Sequence, residues 1–449
     1  MKEDIKNKSG NGIEGFNLES DPASTPPNAN EAPDSMPEHF RKNSPFYALY
    51  FPNFRLFFFG QLISVAGSWM QTVAQNWVVW DLTHDPRWSG IVSGSGAILY
   101  VLFSVWGGQV ADKYPRRTVL MWTQTVMMAL AFVLALLATN RWVKMEAWHI
   151  AVLSALLGGV NAFNMPAQQS MVSELIERRD ALSNAIALSS LRFNLARFIG
   201  PVLAGVTLVK FGASACFAIN GFSFVAVLIS LSQLKLITTK RQVKALSVWE
   251  GFTYIRMNRR TLRIVALIGT ASLFAWSIST LFPMVADQFR SKAAGYSQLM
   301  MMNGIGAALG AFLLASLGDR VPRLVLVYGG ALSMSLGLLS FAFAPSFLIA
   351  LAILIPEGIV MIAFAMTCNT IVQESVPDEL RGRVMAVYSL VFQGMMPLGG
   401  VEIGFLAKHF GAFPAIRFNA VLFLLVSSAL LIWSRQDRIR SAEAVVRTG

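Results

Sequence analysis

The stretch GGQVADKYPRRTVL, residues 107–120, sets one acid and three bases between two long apolar runs, and ASLGDRVPRLVLV, residues 315–327, repeats the pattern later in the chain. Charges packed into so few residues between greasy segments read as a tight loop joining two membrane helices. The apolar runs decide the fold. A helix rising ~1.5 Å per residue needs about 20 apolar residues to cross ~30 Å of hydrocarbon. Twelve stretches of that length are present: 54–80, 88–111, 117–139, 147–170, 183–209, 213–236, 263–286, 295–318, 322–344, 346–372, 383–408 and 412–434. Barrel strands would read as alternating segments of about ten residues, which these are not. The expectation is an all-α membrane protein with twelve transmembrane helices.

Composition points the same way. Hydrophobic residues make up 54% of the 449 and charged residues only 14%, where soluble domains carry about a quarter. Residues 1–45, rich in Asn, Pro, Ser and Glu, cannot bury enough apolar surface to fold alone and are expected to form a disordered tail. No secretory cleavage pattern precedes the first span, so that span is retained. Cys216 and Cys368 both fall inside spans, which leaves neither a disulfide framework nor a metal site, and no cofactor is expected.

The net charge of +12 would suit a nucleic-acid partner, but its placement argues for topology. Assigning loops alternately puts Lys113, Arg116, Arg117, Arg178, Arg179, Arg320, Arg323, Arg381 and Arg383 on one side with a basic connector. Arg87, Arg141, Lys144, Lys210, Arg290, Lys292 and Lys408 fall on the other. The positive-inside rule makes the first side cytoplasmic, and an even number of spans puts both termini there.

That connector, residues 237–262, divides the chain into 46–236 and 263–434, followed by a tail over 435–449. Within it Val248, Phe252 and Ile255 lie at helical spacing beside basic residues, which suits a short helix on the membrane surface. The halves align. Asp112, Pro115 and Arg116 match Asp319, Pro322 and Arg323, and Glu174 of SELIERRDALSNA (173–185) matches Glu374 of QESVPDELRGRVM (373–385). Parallel six-helix repeats place a substrate near the bilayer midplane between them.

On these residues the chain resembles the major facilitator superfamily. Its motif A, G-x-L-x-D-R-x-G-R-R, is matched by Gly108, Asp112, Lys113, Arg116 and Arg117, with Pro115 replacing a glycine; the second copy has Ala315 at the first glycine position. GSWMQTVAQNWVVWDLT (67–83) and SNAIALSSLRFNLARFIGPVLAG (183–205) are similar to the branch of enterobactin-type siderophore exporters and related drug exporters. The second stretch also resembles the antiporter motif of fifth helices, keeping Gly200, Pro201 and Gly205, where Gly-Pro invites a helix bend. The resemblance implies a major facilitator fold of two pseudo-symmetric six-helix bundles in the bacterial inner membrane.

The resemblance also implies a gate. Asp112 would approach the inner end of the eleventh helix near Gly382 and Arg383, drawn by unpaired N–H groups and the helix dipole; Asp319 would approach the fifth near Ser183 and Asn184. One exposed ion pair contributes ~0.2–1 kcal/mol, whereas moving a two-state equilibrium from 1:99 to 99:1 takes about 5.5 kcal/mol. Several groups must therefore act together, and the candidates are Gly108, Asp112, Arg116, Arg117, Glu174, Asp319, Arg323, Glu374, Arg381 and Arg383.

In the first span Gln61, Ser64, Ser68, Gln71 and Gln75 are spaced 3, 4, 3 and 4, on one helical face. Turned to lipid, each would cost of order one to several kcal/mol, so they face water, substrate or another helix. Asn161, Asn164 and Gln168 mark the fourth span, and Ser272, Trp276, Ser279 and Pro283 the seventh. In the superfamily, helices one, four, seven and ten line the central cavity. Ionisable groups inside spans are functional candidates. Arg192 and Arg197 are five residues apart, about 140° beyond a full turn, so both cannot point at one cavity. Glu357 lies deep in its span without an evident cation and is the candidate proton carrier. Glu402 and Arg417 sit at similar depth and read as an ion pair or a proton site, while Asp81 and Asp287 read as rim residues or an external gate.

The expected function is a monomeric secondary exporter moving an amphiphilic small molecule outward against protons, within membrane lipid. A proton-coupled importer on the same scaffold is the alternative. An integral-membrane enzyme would need a nucleophile and base brought together, and His39, His84, His149 and His409 lie in the tail or at rims. No P-loop pattern suggests nucleotide binding. Trp69, Trp77, Trp80 and Trp276 suit an aromatic substrate, and Arg192 or Arg197 an anionic one.

Overall fold

The computed structural model describes residues 44–176, 178–234, 248–317 and 320–448. The tail up to residue 43, the connector over 235–247, and Asp319 lie outside the described residues. The helices are α1 (Pro52–Thr83), α2 (Pro86–Lys113), α3 (Arg116–Ala138), α4 (Ala147–Glu174), α5 (Leu182–Gln233), α6 (Val248–Met257), α7 (Arg259–Phe274), α8 (Phe282–Gln288), α9 (Lys292–Leu317), α10 (Arg323–Ala342), α11 (Phe347–Ser375), α12 (Asp378–Phe410) and α13 (Ala412–Thr448).

Eleven helical stretches among the described residues are long and apolar enough to cross a membrane. One of them, α5, has 52 residues, or ~78 Å at 1.5 Å each, and crosses twice. Twelve crossings result, as the sequence predicts. The break in α5 falls at Gly212, with φ 80° and ψ 178°, a conformation that only glycine adopts cheaply. At Gly200–Pro201, by contrast, the helical backbone continues with the proline inside it. A Cβ on Gly200 would collide with Trp69 of α1, so that glycine serves close packing. The seventh crossing is α7 and α8 joined by a 3-10 segment, Trp276–Leu281, ahead of Pro283.

Local chemistry explains the helix starts. Proline occupies the first turn of α1 and α2, where its missing N–H costs nothing. Pro115 and Pro322 hold the equivalent N-cap positions of α3 and α10, so the repeat extends to the caps. Asn258 caps α7 by accepting from the N–H groups of Arg260 and Thr261.

Each bundle uses the same pairing. In α1–α5 the first helix packs on the fifth and the second on the fourth; in α7–α13, α7 packs on α12 and α9 on α11. Large apolar side chains such as Trp122, Leu136, Phe222, Phe312 and Leu348 point outward and are mostly exposed, a surface that is stable against lipid rather than water. Helix α6 docks on the second bundle through buried Ile255 and a Tyr254 hydroxyl donating to the Ser375 carbonyl at 2.9 Å. The tail beyond 434 continues as helix, and its Asp437 pairs with Arg263 at 2.7 Å and Arg259 at 3.3 Å.

Candidate functional site

The α2–α3, α4–α5 and α11–α12 loops share one end of the molecule, rich in Arg and Lys and called the basic end below; the α1–α2, α3–α4 and α12–α13 loops share the distal end. The bundles meet along two seams, α2 with α12 and α5 with α9, which the internal repeat relates to each other.

On the first seam the backbones touch. A Cβ on Gly90 would lie 2.5 Å from the Gly400 carbonyl oxygen and 2.8 Å from Val401 Cα, and one on Gly404 would lie 2.8 Å from the Pro86 carbonyl oxygen. At its distal limit Lys408 Nζ lies 3.2 Å from Asp85 Oδ2, which Arg87 Nη2 also holds at 2.6 Å. Hydrogen bonds from Arg87, with Lys408 adding to them, lower the Asp85 carboxyl to about 2. On the second seam a Cβ at Gly205 would approach Ser297 Cβ to 3.0 Å, and Arg197 Nη2 donates to Asn303 Oδ1 at 3.2 Å. Trp77 stacks on Tyr296 across the bundles, with centroids 6.4 Å apart.

These contacts run from the distal end to the middle of the crossings, where Arg197 meets Asn303. Toward the basic end, ion pairs between described residues stay within one bundle. Arg116 bonds Glu174, and Arg323 bonds Glu374 at the repeat-equivalent place. Arg117 donates to the Ser232 carbonyl at 2.6 Å, and Arg381 to that of Gln373 at 3.0 Å. Arg383, expected near Asp112 when this end is closed, pairs here with Glu250 of α6, which the sequence reading did not include. Asp112 is exposed, and the position of a Cβ on Gly108 meets nothing within 4 Å. Asn184 is occupied by the start of the described chain, accepting from the Ala48 N–H at 2.8 Å.

The polar stripe of α1 ties helices together. Gln61 accepts from Gln168 of α4 at 2.8 Å, Gln75 donates to Ser154 of α4 at 2.5 Å, and Gln71 accepts from Asn220 of α5 at 2.7 Å. Ser64 is buried, and Ser68 donates to its carbonyl at 2.9 Å. Asn164 accepts from Thr123 and Gln124 of α3, at 3.1 and 3.2 Å, while Asn161 is half-buried. Trp276 is buried edge-on to Phe392, centroids 5.3 Å apart. A separate groove of about 280 Å³ on the flank of the first bundle is lined by Leu99, Phe103, Trp122 and Phe163 among others and is apolar.

Of the intramembrane charges, Glu357 is buried and turns one oxygen toward Gly337 of α10, inside its own bundle; the other has no hydrogen-bond partner. The expected Glu402–Arg417 pair is not made. Glu402 accepts from Asn419 at 3.0 Å, and Arg417 lies 4.6 Å over the Phe343 ring. Two residues turn a helix by ~200°, so the α13 face that presents Asn419 to α12 carries Arg417 away from it. Arg192 lies over Phe57 and Arg197 over Trp69, each 5.7 Å from the ring centroid.

Two repeat-related bundles, joined along two seams in one half and free of described cross-bundle pairs in the other, define a transporter of the major facilitator type. Residues 43–447 match the family described as transmembrane secretion effector, and the chain belongs to it. It is 23% identical to the staphyloferrin A transporter of Staphylococcus aureus over 87% of this chain and 98% of that protein. It is 26% identical to the multidrug efflux pump Tap of Mycolicibacterium fortuitum, over 79% and 89%. Among solved structures, a POT family transporter in complex with a thioalcohol conjugated peptide superposes with a TM-score of 0.69 at 13% identity, covering 86% of this chain and 96% of that one. The family and these relatives are transporters, not enzymes, and the chain is a multi-pass efflux or secretion protein.

Proposed function

We propose that the protein exports an amphiphilic small organic molecule, siderophore-like or drug-like, across the bacterial cytoplasmic membrane by alternating access, driven by protons moving inward. The basic end faces the cytoplasm with both termini, following the positive-inside rule, and the bundles 46–236 and 263–434 rock as units within a monomer. The observation that carries this reading is the unequal contact between the bundles. Cross-bundle contacts run from the distal end to mid-depth, while described ion pairs at the basic end stay local. This is an inward-open arrangement. In the outward-open state the distal seams part and Asp112 reaches the start of α12, where Arg383 exchanges Glu250 for the new neighbour. Glu357 is the proton carrier, because among the described residues it is the buried carboxyl without a counter-ion.

Everted vesicles carrying the protein test the reading. With an acidified lumen they should accumulate a dye substrate, and a protonophore should abolish the accumulation. Glu357→Gln should retain exchange of internal for external dye but lose gradient-driven uptake. Accumulation confined to right-side-out vesicles would establish the importer instead.

A further inference from the structure

Two guanidinium groups in α5 lack a counter-ion. Arg192 is 7% exposed, and its Nε and Nη1 have no hydrogen-bond partner. Arg197 rests on the Trp69 ring, and the bond described for its head group goes to the neutral Asn303 side chain. No carboxylate among the described residues pairs with either. Of the described acids within the crossings, buried Glu357 is turned to Gly337 and half-buried Glu402 to Asn419. Arginine stays charged at neutral pH, and its planar fork fits a carboxylate through two parallel hydrogen bonds. An unpaired charge inside a membrane marks the path of a ligand.

The positions order the two groups. Arg192 lies ten residues into α5 from the basic end and Arg197 fifteen, or ~15 and ~22 Å along the axis. Their ring partners on α1, Phe57 and Trp69, are twelve residues apart, ~18 Å. The two arginines also point about 140° apart around α5, so a ligand between the bundles meets one of them: Arg197, half-buried at the α5–α9 seam, while Arg192 is packed under Phe57.

We propose that the transported molecule is an organic anion whose carboxylate is held by Arg197 beside Trp69, displacing Asn303. This rests on the exporter reading with the basic end open to the cytoplasm. It also ties binding to movement. The Arg197–Asn303 bond spans the α5–α9 seam, so an anion that takes the guanidinium loosens the contact that must part for release on the far side.

The full chain in phosphatidylethanolamine nanodiscs, with and without phosphatidylglycerol, is titrated calorimetrically with citrate and salicylate, and with their neutral counterparts trimethyl citrate and salicylamide. At least one anion should bind and the neutral forms should not. Arg197→Gln should weaken binding about tenfold or more, with Arg197→Lys recovering part of it. Asn303→Ala should tighten binding, a gain that misfolding does not produce. Arg192→Gln, on the other side of α5, should leave Kd within about threefold. Equal binding of neutral forms, no anion binding, wild-type affinity in Arg197→Gln, or weaker binding in Asn303→Ala each overturns the proposal. So does loss of binding on adding phosphatidylglycerol, which would assign the site to a lipid headgroup. Vesicle accumulation of a cationic dye without anion binding sinks this inference and leaves the exporter standing. Arg197-dependent binding without outward transport does the reverse.

Discussion

At the distal end the bundles meet backbone to backbone, with Gly90 against Gly400 and Gly404 against Pro86; at the basic end each bundle pairs its own charges, Arg116 with Glu174 and Arg323 with Glu374. The two kinds of contact differ in how they yield. Close packing of small residues depends on fit over many atoms, each worth only ~0.1–0.2 kcal/mol, and is lost steeply with separation. Exposed ion pairs contribute ~0.2–1 kcal/mol and exchange partners at little cost. The distal contact behaves as a fitted surface and the basic end as a set of interchangeable charges, a suitable division for a protein that must close each end in turn.

The largest effect should come from spoiling the fit. Gly90→Leu forces a side chain into the α12 backbone, and overpacking costs ~1–3 kcal/mol, a shift of roughly 5- to 150-fold in the balance of states. Transport should fall within that range, and a thiol placed by Ser93→Cys on the same seam should become reactive toward a membrane-impermeant reagent from the distal side. The native cysteines are buried and should not interfere. An unreactive Ser93→Cys thiol in the Gly90→Leu background would mean that the seam is not the closed face.

Gly108 offers the mirror experiment. Space around its absent Cβ is open here, so Gly108→Val should leave this conformation untouched and obstruct only the closing of the basic end. The expected result is about tenfold slower transport, from ~1.4 kcal/mol of obstruction, with Ser93→Cys no more reactive than in wild type. Normal transport would remove Gly108 from the gate and, with it, the idea that the basic end closes against α2.

How far the sequence carried the reading follows from what kind of signal each feature leaves. Twelve crossings and the repeat were legible because apolar run length and the Asp-basic-x-Pro-Arg loops are local patterns. The distal seam was readable too, since Gly90 and Gly94 and again Gly400 and Gly404 form small-x-x-x-small pairs, but these were not singled out as a contact. The stripe Gln61, Gln71 and Gln75 showed that polar groups must be satisfied, not by what; only the fold reveals that α4 and α5 satisfy them. The partner of Glu402 was misassigned because a shared depth does not fix the face a helix presents, and Glu250 was missed beside Arg383 because it lies in the connector, far away in sequence. Asp85 went unnoticed because a single acid before a proline looks like a plain helix cap.

Breaking the distal ion pair should matter less than spoiling the packing. The Lys408 side chain is 42% exposed and the Arg87 side chain 41%, so solvent screens both, and such pairs contribute ~0.2–1 kcal/mol. Lys408→Gln should alter transport by about fivefold at most, with Arg87 still holding Asp85. A loss comparable to that of Gly90→Leu would move the weight of the comparison from packing to charge.

The smallest effect is expected from pH, and its sign is fixed. Asp85 is lowered from an ordinary value of 3.8 to about 2, chiefly by the hydrogen bonds of Arg87. A depressed carboxyl lends its stabilisation fully above its ordinary value and loses it as pH falls through the lowered one. The distal clasp should therefore be constant from pH 8 to pH 5 and weaken only in stronger acid. Labelling of Ser93→Cys across that window, corrected for thiol ionisation with a denatured control, should be flat in wild type and in Asp85→Asn alike. A transition between pH 5 and 8 that Asp85→Asn abolishes would make the distal end a second proton-sensing gate and erase the contrast between the two ends.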